Sequence, residues 1–232
     1  MMDSNLSLGA IVVAAGSSTR MSGIDKTFNP ILEKPMITYC LDTLESFTAI
    51  TQIVLVVAKG SLTKGQDILK KKTYKKLTAV CSGGDRRQDS VRIGLTNINN
   101  CSYVLVHDGA RPCLDISILN RGWDNVKLHG AVVAGVPVKD TIKVASLEGE
   151  VLETPPRDSL WAAQTPQFFK YDLLYQAHQL YNDTFTDDAS MVEMMGHPVR
   201  MFLGSYNNLK ITTIEDLSIA ESWISKKFKV NS

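Results

Sequence analysis

Short, almost unbroken apolar runs alternate along this chain with stretches in which apolar residues recur every three or four positions. The runs Ala10–Ala14, Ile53–Ala58, Leu77–Cys81, Val104–His107 and Ala131–Val136 predict β-strands. Between them, Met36–Phe47, Ser61–Tyr74, Gln88–Asn97 and Ile116–Lys127 carry the spacing of helices with one apolar face. A strand that is apolar at every position is buried on both sides. The alternation therefore predicts an α/β fold whose mainly parallel sheet is covered by helices on both faces. Right-handed crossovers gather the C-terminal ends of such strands on one edge, where ligands of these sheets bind.

One segment departs from the alternation. Thr141–Ala145 and Glu150–Thr154 flank the turn-forming Ser146-Leu147-Glu148-Gly149, which predicts a β-hairpin, and Pro155-Pro156 ends its second strand. Helices follow over Tyr171–Tyr181, Asp188–Met195 and from about Thr213, where Thr212 and Glu215 have capping-box spacing. With no internal repeat and no low-complexity linker, residues 1–232 read as one domain carrying an inserted arm at 139–158.

Composition narrows the partners. The chain has 232 residues, 44% hydrophobic and 21% charged, with a net charge of +1. That balance suits a globular core and gives no excess of charge to draw a nucleic acid or a membrane surface. The lysines of Lys59–Lys76 fall on a predicted amphipathic helix without interleaved stacking aromatics, so they read as a solvated face. Met1–Leu8 lacks the basic start and apolar run of a signal peptide, and no apolar stretch is long enough to span a bilayer, so a cytoplasmic location is expected. Cys40, Cys81, Cys101 and Cys113 have neither C-x-x-C nor zinc-ligand spacing and read as free thiols.

Candidate chemistry gathers at the predicted strand ends. The first strand runs into Ala14-Ala15-Gly16-Ser17-Ser18-Thr19-Arg20-Met21, whose small residues let backbone N–H groups approach phosphate oxygens. Arg20 and Lys26 put two cations on the same loop, as a wrapped triphosphate requires. At the end of the fourth strand, in His107-Asp108-Gly109-Ala110-Arg111-Pro112, Asp108 is placed to hold a ribose hydroxyl or a magnesium ion. Arg111 is placed for a phosphate, and an Asp–Arg pair that only braces the loop fits the pattern equally. His107 reads as a hydrogen-bonding brace. Gly83-Gly84-Asp85-Arg86-Arg87-Gln88-Asp89-Ser90 joins a strand to a helix and permits close approach to a flat base, with Ser90 in the first helical turn. Lys210 lies between a predicted strand and a capped helix, where it delivers an ammonium to the sheet edge. No nucleophile–base order is recognisable. That suits phosphoryl or nucleotidyl transfer, in which positioning and charge neutralisation carry the catalysis.

Taken together, Ala14–Met21, Lys26, Gly83–Ser90, His107–Pro112, Asp140–Thr141, Arg157 with Leu160–Trp161, Ala163–Phe168, Thr186–Ser190 and Asn208–Thr212 closely resemble the 2-C-methyl-D-erythritol 4-phosphate cytidylyltransferase family of non-mevalonate isoprenoid synthesis. These elements occur in the family's order over nearly the whole chain. The resemblance implies a Rossmann-like fold, a Mg²⁺ requirement and a homodimer, here through the 139–158 arm. It places CTP over Ala14, Ala15 and Gly16, cytosine near Gly83, Gly84, Asp85 and Ser90, and ribose near Asp108. Arg20 and Lys26 would stabilise the α-phosphorus in flight. Arg157 and Lys210 would position methylerythritol phosphate, assisted by Thr141, Arg111, Thr165 and Thr186. The loop departs from the family at Thr27, where many relatives carry Gln, and at Gly109, where Ala is common; both leave the cations intact. Which residues hold the metal stays open. Ribitol 5-phosphate cytidylyltransferases share the chemistry, and a non-catalytic nucleotide-binding module shares the fold. The glycine fingerprint of an NAD-dependent dehydrogenase is missing.

Overall fold

The computed structural model describes residues 6–16, 27–71 and 73–230. In chain order its elements are β1 (Leu8–Ala14), the small hairpin β2 (Pro30–Ile31) and β3 (Lys34–Pro35), α1 (Met36–Ser46), β4 (Ile50–Val57), α2 (Leu62–Lys70), β5 (Leu77–Ser82), α3 (Arg87–Thr96), β6 (Tyr103–Asp108), α4 (Ile116–His129) and β7 (Ala131–Pro137). There follow the hairpin strands β8 (Val144–Ala145) and β9 (Val151–Glu153), then β10 (Trp161–Lys170), α5 (Tyr171–Leu180), α6 (Asp188–Met194), β11 (Arg200–Leu203) and α7 (Ile214–Val230). Seven strands form one sheet in the order β11-β7-β10-β6-β1-β4-β5.

The sheet's interior follows from the period of two along each strand. Ala10, Val12 and Ala14 of β1 turn to one face, where they pack with Ile37, Leu41 and Leu44 of α1 and Ile118, Leu119 and Val126 of α4. Ile11 and Val13 turn to the other, against Val91 and Leu95 of α3, Leu174 and Ala177 of α5 and Met191 and Val192 of α6. Seven consecutive buried positions in β1 are what two-sided cover requires. A third, smaller cluster joins α7 through Ala220 and Ile224 to Met36 and Tyr39 of α1.

Four strand pairings are parallel, as expected, but β10 runs antiparallel between β6 and β7. This central strand escapes the hydrophobic pattern because Gln164, Thr165 and Gln167 interrupt its apolar positions, and all three are buried. Their polar groups are satisfied across the site described below, which is what permits a polar segment inside the sheet. A register shift between Ala163 and Gln167 sets this segment apart from the regular ladder. The predicted hairpin is present with shorter strands, closed by Gly149 at a φ of 87°, a left-handed conformation that glycine adopts without strain. The cap of α7 falls one residue later than the expected Thr212–Glu215 pair. Thr213 Oγ1 accepts from the Asp216 N–H, while the Asp216 carboxylate accepts from the N–H groups of Thr212 and Thr213 at 2.8 and 2.9 Å.

Candidate functional site

The C-terminal ends of β1, β5 and β6 meet on one edge of the sheet. Ala15 and Gly16 leave β1 there, and Gly83 passes so close that a Cβ on it would lie 2.2 Å from the Ala15 Cβ. Only glycine fits at position 83, which explains why the loop begins with two glycines. The Gly83 N–H donates to the Val57 carbonyl at 2.8 Å, and the Gly84 N–H donates to Ser90 Oγ at 3.2 Å. Arg86 closes the loop onto Asp89 with its Nε and Nη2 at 2.9 and 2.8 Å. Asp85 stands exposed at the tip of this turn. The result is a shallow, backbone-lined shelf beside β1.

Next to the shelf is a knot of charge. Asp108, at the end of β6, is buried and faces three cations. Its Oδ1 accepts from Arg87 Nε at 3.2 Å, its Oδ2 accepts from Lys210 Nζ at 2.8 Å, and Arg111 Nε lies 3.8 Å from Oδ2. Burial alone would raise the Asp108 pKa, but the charges of Arg87, Lys210 and Arg111 prevail and hold it far below the ordinary carboxylate range. Asp108 is therefore an anion throughout the physiological pH range. Arg111 is anchored from behind, its Nη1 donating to the Asn208 carbonyl at 2.7 Å, while Asn208 Nδ2 donates to the Thr165 carbonyl at 2.7 Å.

His107 braces this turn, as the sequence suggests, and its protonation can be worked out. Its Nε2 faces the Arg111 carbonyl at 3.2 Å, which only accepts, so Nε2 carries the proton. Nδ1 then accepts from the Thr165 hydroxyl at 3.2 Å, leaving Thr165 Oγ1 to accept from the Asp108 N–H at 2.9 Å. One polar chain thus ties β6 to β10. Burial pushes the His107 pKa down to about 4, from an ordinary value of about 6.5. Between those values the unfolded chain binds a proton that the folded one refuses, so stability rises with pH across the window. We expect acidification from pH 6.5 to 4 to cost on the order of 3 kcal/mol through this group. Denaturant titrations of a His107→Gln variant should show a flatter profile over that range, and an unchanged slope would exclude His107 as the source.

A cavity of about 240 Å³ opens over this knot, and Arg87, Asp108, Arg111, Thr165, Thr186, Asp187 and Lys210 are among the residues that border it. The structure thus brings together Asp108, Arg111, Thr165, Thr186 and Lys210. Arg157 and Thr141 do not border it. Both are exposed at the base of the arm, where Arg157 Nη1 donates to the Lys139 carbonyl at 3.0 Å. Arg20 and Lys26 lie outside the described residues. Arg87 and Asp188 are functional-site residues that the sequence motifs contained without revealing a role: Nη1 of Arg87 donates to Asp188 Oδ2 at 2.6 Å from the far side of Asp108. A larger cavity, about 700 Å³, lies between α1, the start of α4 and α7, and none of the expected site residues borders it.

As a metal centre the knot is unsuitable. Asp108 already meets three cations, Asp188 is taken by Arg87 and His178, and the described residues hold no group of three or more His, Cys, Asp or Glu able to ligate an ion. What the site offers is a set of cations suited to an anion with several oxygens.

Known proteins resemble this one over nearly its whole length. The family profile for 2-C-methyl-D-erythritol 4-phosphate cytidylyltransferase (IspD) matches residues 8–226. A protein of that name from Dehalococcoides mccartyi is 45% identical over 222 residues, covering 96% of this chain and 98% of its own. Another from Clostridioides difficile is 44% identical over 230 residues, covering 96% of each. The crystal structure of 4-diphosphocytidyl-2C-methyl-D-erythritol synthase from Anaerococcus prevotii superposes with a TM-score of 0.84 at 28% identity, over 95% of this chain and 99% of that one. The Thermus thermophilus cytidylyltransferase superposes with a TM-score of 0.76 at 25% identity, over 93% and 98% respectively.

Proposed function

The chain belongs to the 2-C-methyl-D-erythritol 4-phosphate cytidylyltransferase family, and on that premise we propose how its sheet edge performs the reaction. It is a nucleotidyltransferase that joins CTP to 2-C-methyl-D-erythritol 4-phosphate, giving 4-diphosphocytidyl-2-C-methyl-D-erythritol and pyrophosphate for isoprenoid synthesis. The observation that supports the site assignment is the cavity at Asp108, on which Arg87, Arg111 and Lys210 converge. Three cations converging beside the glycine turn suit a reaction between two anions.

In this reading the cytosine lies on the Gly83–Ser90 shelf and the ribose beside Asp108, with the phosphates over Ala14–Gly16. The methylerythritol phosphate occupies the cavity, held by Arg111, Lys210, Thr165 and Thr186. Its phosphate oxygen is already an anion near neutral pH and attacks the α-phosphorus in line, forming one P–O bond as the bond to pyrophosphate breaks. No general base is needed, so the task left to the protein is to offset repulsion between the two anions. Arg20 and Lys26 are assigned to the charge developing at the α-phosphorus. Arg157 and Thr141 are assigned to the methylerythritol phosphate of the other subunit in a homodimer built through the 139–158 arm.

Mg²⁺ is proposed as the cofactor, bound through the phosphates of CTP, because Asp108 and Asp188 are committed to cations. There it would neutralise phosphate charge. The described residues contain no helix long and apolar enough to cross a membrane. We assign the work to the cytoplasm, with small molecules rather than nucleic acids as partners.

The test is pyrophosphate release by purified protein with Mg²⁺, CTP and each of two polyol phosphates. Methylerythritol 4-phosphate should be the better substrate by kcat/KM, and preference for ribitol 5-phosphate would refute the assignment. CTP should outperform ATP by at least about a hundredfold, since a shelf that hydrogen-bonds one base edge leaves its groups unpaired against another.

A further inference from the structure

Behind Asp108 a line of buried polar residues runs into the core, and the reaction as described makes no use of it. Asp188, at the start of α6, is 0% exposed and sits beside Ala189, Met191 and Val192 of the apolar layer under the sheet. Its Oδ2 accepts from Arg87 Nη1 at 2.6 Å, and its Oδ1 lies 3.3 Å from Nε2 of the equally buried His178 of α5. Arg87 turns its Nε to Asp108, whose other oxygen meets Lys210. We infer that Asp188, with His178 behind it, is a positioning residue for the Lys210 ammonium, acting through Arg87 and Asp108. This rests on the reading of Lys210 as a hook for the polyol phosphate.

The reason lies in the shape of a guanidinium. Its donors form a rigid planar fork that favours two parallel bonds to one carboxylate. Here the fork is divided: Nη1 is held by Asp188, so Asp108 receives only Nε, and Nη2 is buried with no partner among the described residues. That division leaves Oδ2 of Asp108 to Lys210. Without the pull of Asp188, the fork can turn and take both Asp108 oxygens, using the donor now idle. Lys210 is the cation best placed to be displaced, since its side chain is 42% exposed while Arg111 is tied to the Asn208 carbonyl.

Stability alone gives a poor account of this line. A buried charged pair is often no better than well-packed apolar residues of the same volume, and the next residues of α6, Ala189, Met191 and Val192, already belong to the apolar layer. The charge is explained if its task is to set the direction of Arg87.

The experiment uses Asp188→Asn and Lys210→Ala, singly and together, in the full-length enzyme. Asp188→Asn should raise the KM for methylerythritol phosphate about tenfold while the KM for CTP changes less than about twofold; in the Lys210→Ala background it should add less than about twofold. Equal factors in the two backgrounds would overturn the inference, because a general loosening of the fold acts whether or not Lys210 is present. Asp188→Ser, which also removes the anion and leaves the Arg87 fork free to turn, should show the same dependence on Lys210 and serves if Asp188→Asn does not fold. A second readout needs no turnover. Acylation of Lys210, followed by mass spectrometry against the exposed Lys170, should be several-fold faster in Asp188→Asn than in the wild type. Unchanged labelling also overturns the inference, whereas an inactive wild type would refute the functional reading and leave the labelling result to stand.

Discussion

An Asp108→Asn enzyme is expected to melt roughly 6–20 °C lower than the wild type and to lose at least about a hundredfold in kcat/KM. Asp108 is the one carboxylate within reach of Arg111 and Lys210 among the described ion pairs, and it shares Arg87 with Asp188. Removing it leaves Arg111 nearly buried with only carbonyl support, and breaking a buried pair from one side costs about 3–5 kcal/mol. In a domain of this size each kcal/mol corresponds to about 2–4 °C. Simple charge counting predicts the opposite for activity, because the variant is more positive and should draw anions more strongly. The structure assigns Asp108 the harder task of aiming cations, which Asn cannot do. The sign of the pH effect gives a further check. The Asp108 carboxyl titrates far below its ordinary range when folded, so its contribution is complete above about pH 4 and is lost only on further acidification. The gap in melting temperature should therefore be constant from pH 5 to 8. A variant within 2 °C of the wild type, with kcat/KM within about threefold, would reduce Asp108 to a loop brace.

The fold was legible where burial is two-sided and regular. In β1, β4, β6 and β7 runs of four or more apolar positions announce the strands, as Ile53–Val57 does in β4. In β10 the same rule failed, because Gln164, Thr165 and Gln167 are buried yet polar, and their partners come from residues as distant as Asp187 and Ser205. Local pattern has no access to partners that far along the chain. The site divides in the same way. Asp108, Lys210 and the Gly83-Gly84 turn could be read from position at a strand end, since the edge of a parallel sheet is a place that topology defines. Arg87 and Asp188 could not, although both stand inside the recognised motifs. Their roles arise from an ion pair spanning 101 positions, and in sequence Arg87 looks no different from its neighbour Arg86, which turns away from the site to Asp89 and Asn182. The larger cavity near α7 shows the converse: space alone did not mark the chemistry, and convergent charge did.

Deleting Ala145–Leu152 and bridging the gap with a short turn is expected to give a monomer that folds but has lost at least about a hundredfold in activity. The arm presents Val144, Val151 and Leu152 at 44, 55 and 65% exposure, and nearly every residue from 139 to 154 is open to solvent. A two-stranded hairpin has no core of its own and is marginal in water unless its apolar side is covered. A second copy of the same arm would provide that cover with one self-complementary patch, which a two-fold dimer requires. The placement of Arg157 and Thr141 points the same way. Both are exposed at the arm's base and border no part of the cavity in their own chain, yet the family pattern assigns them to the polyol phosphate. A site completed across the two-fold satisfies both facts. Because the arm adds nothing to the apolar layers under the sheet, its loss should leave the melting temperature of the remaining domain nearly unchanged. Activity would fall because the polyol phosphate loses two of its ligands, seen first as a raised KM. Sedimentation velocity and steady-state kinetics on the same preparation decide the matter. A deletion variant that still sediments as a dimer places the interface elsewhere, and a monomer with full activity ends the shared-site proposal.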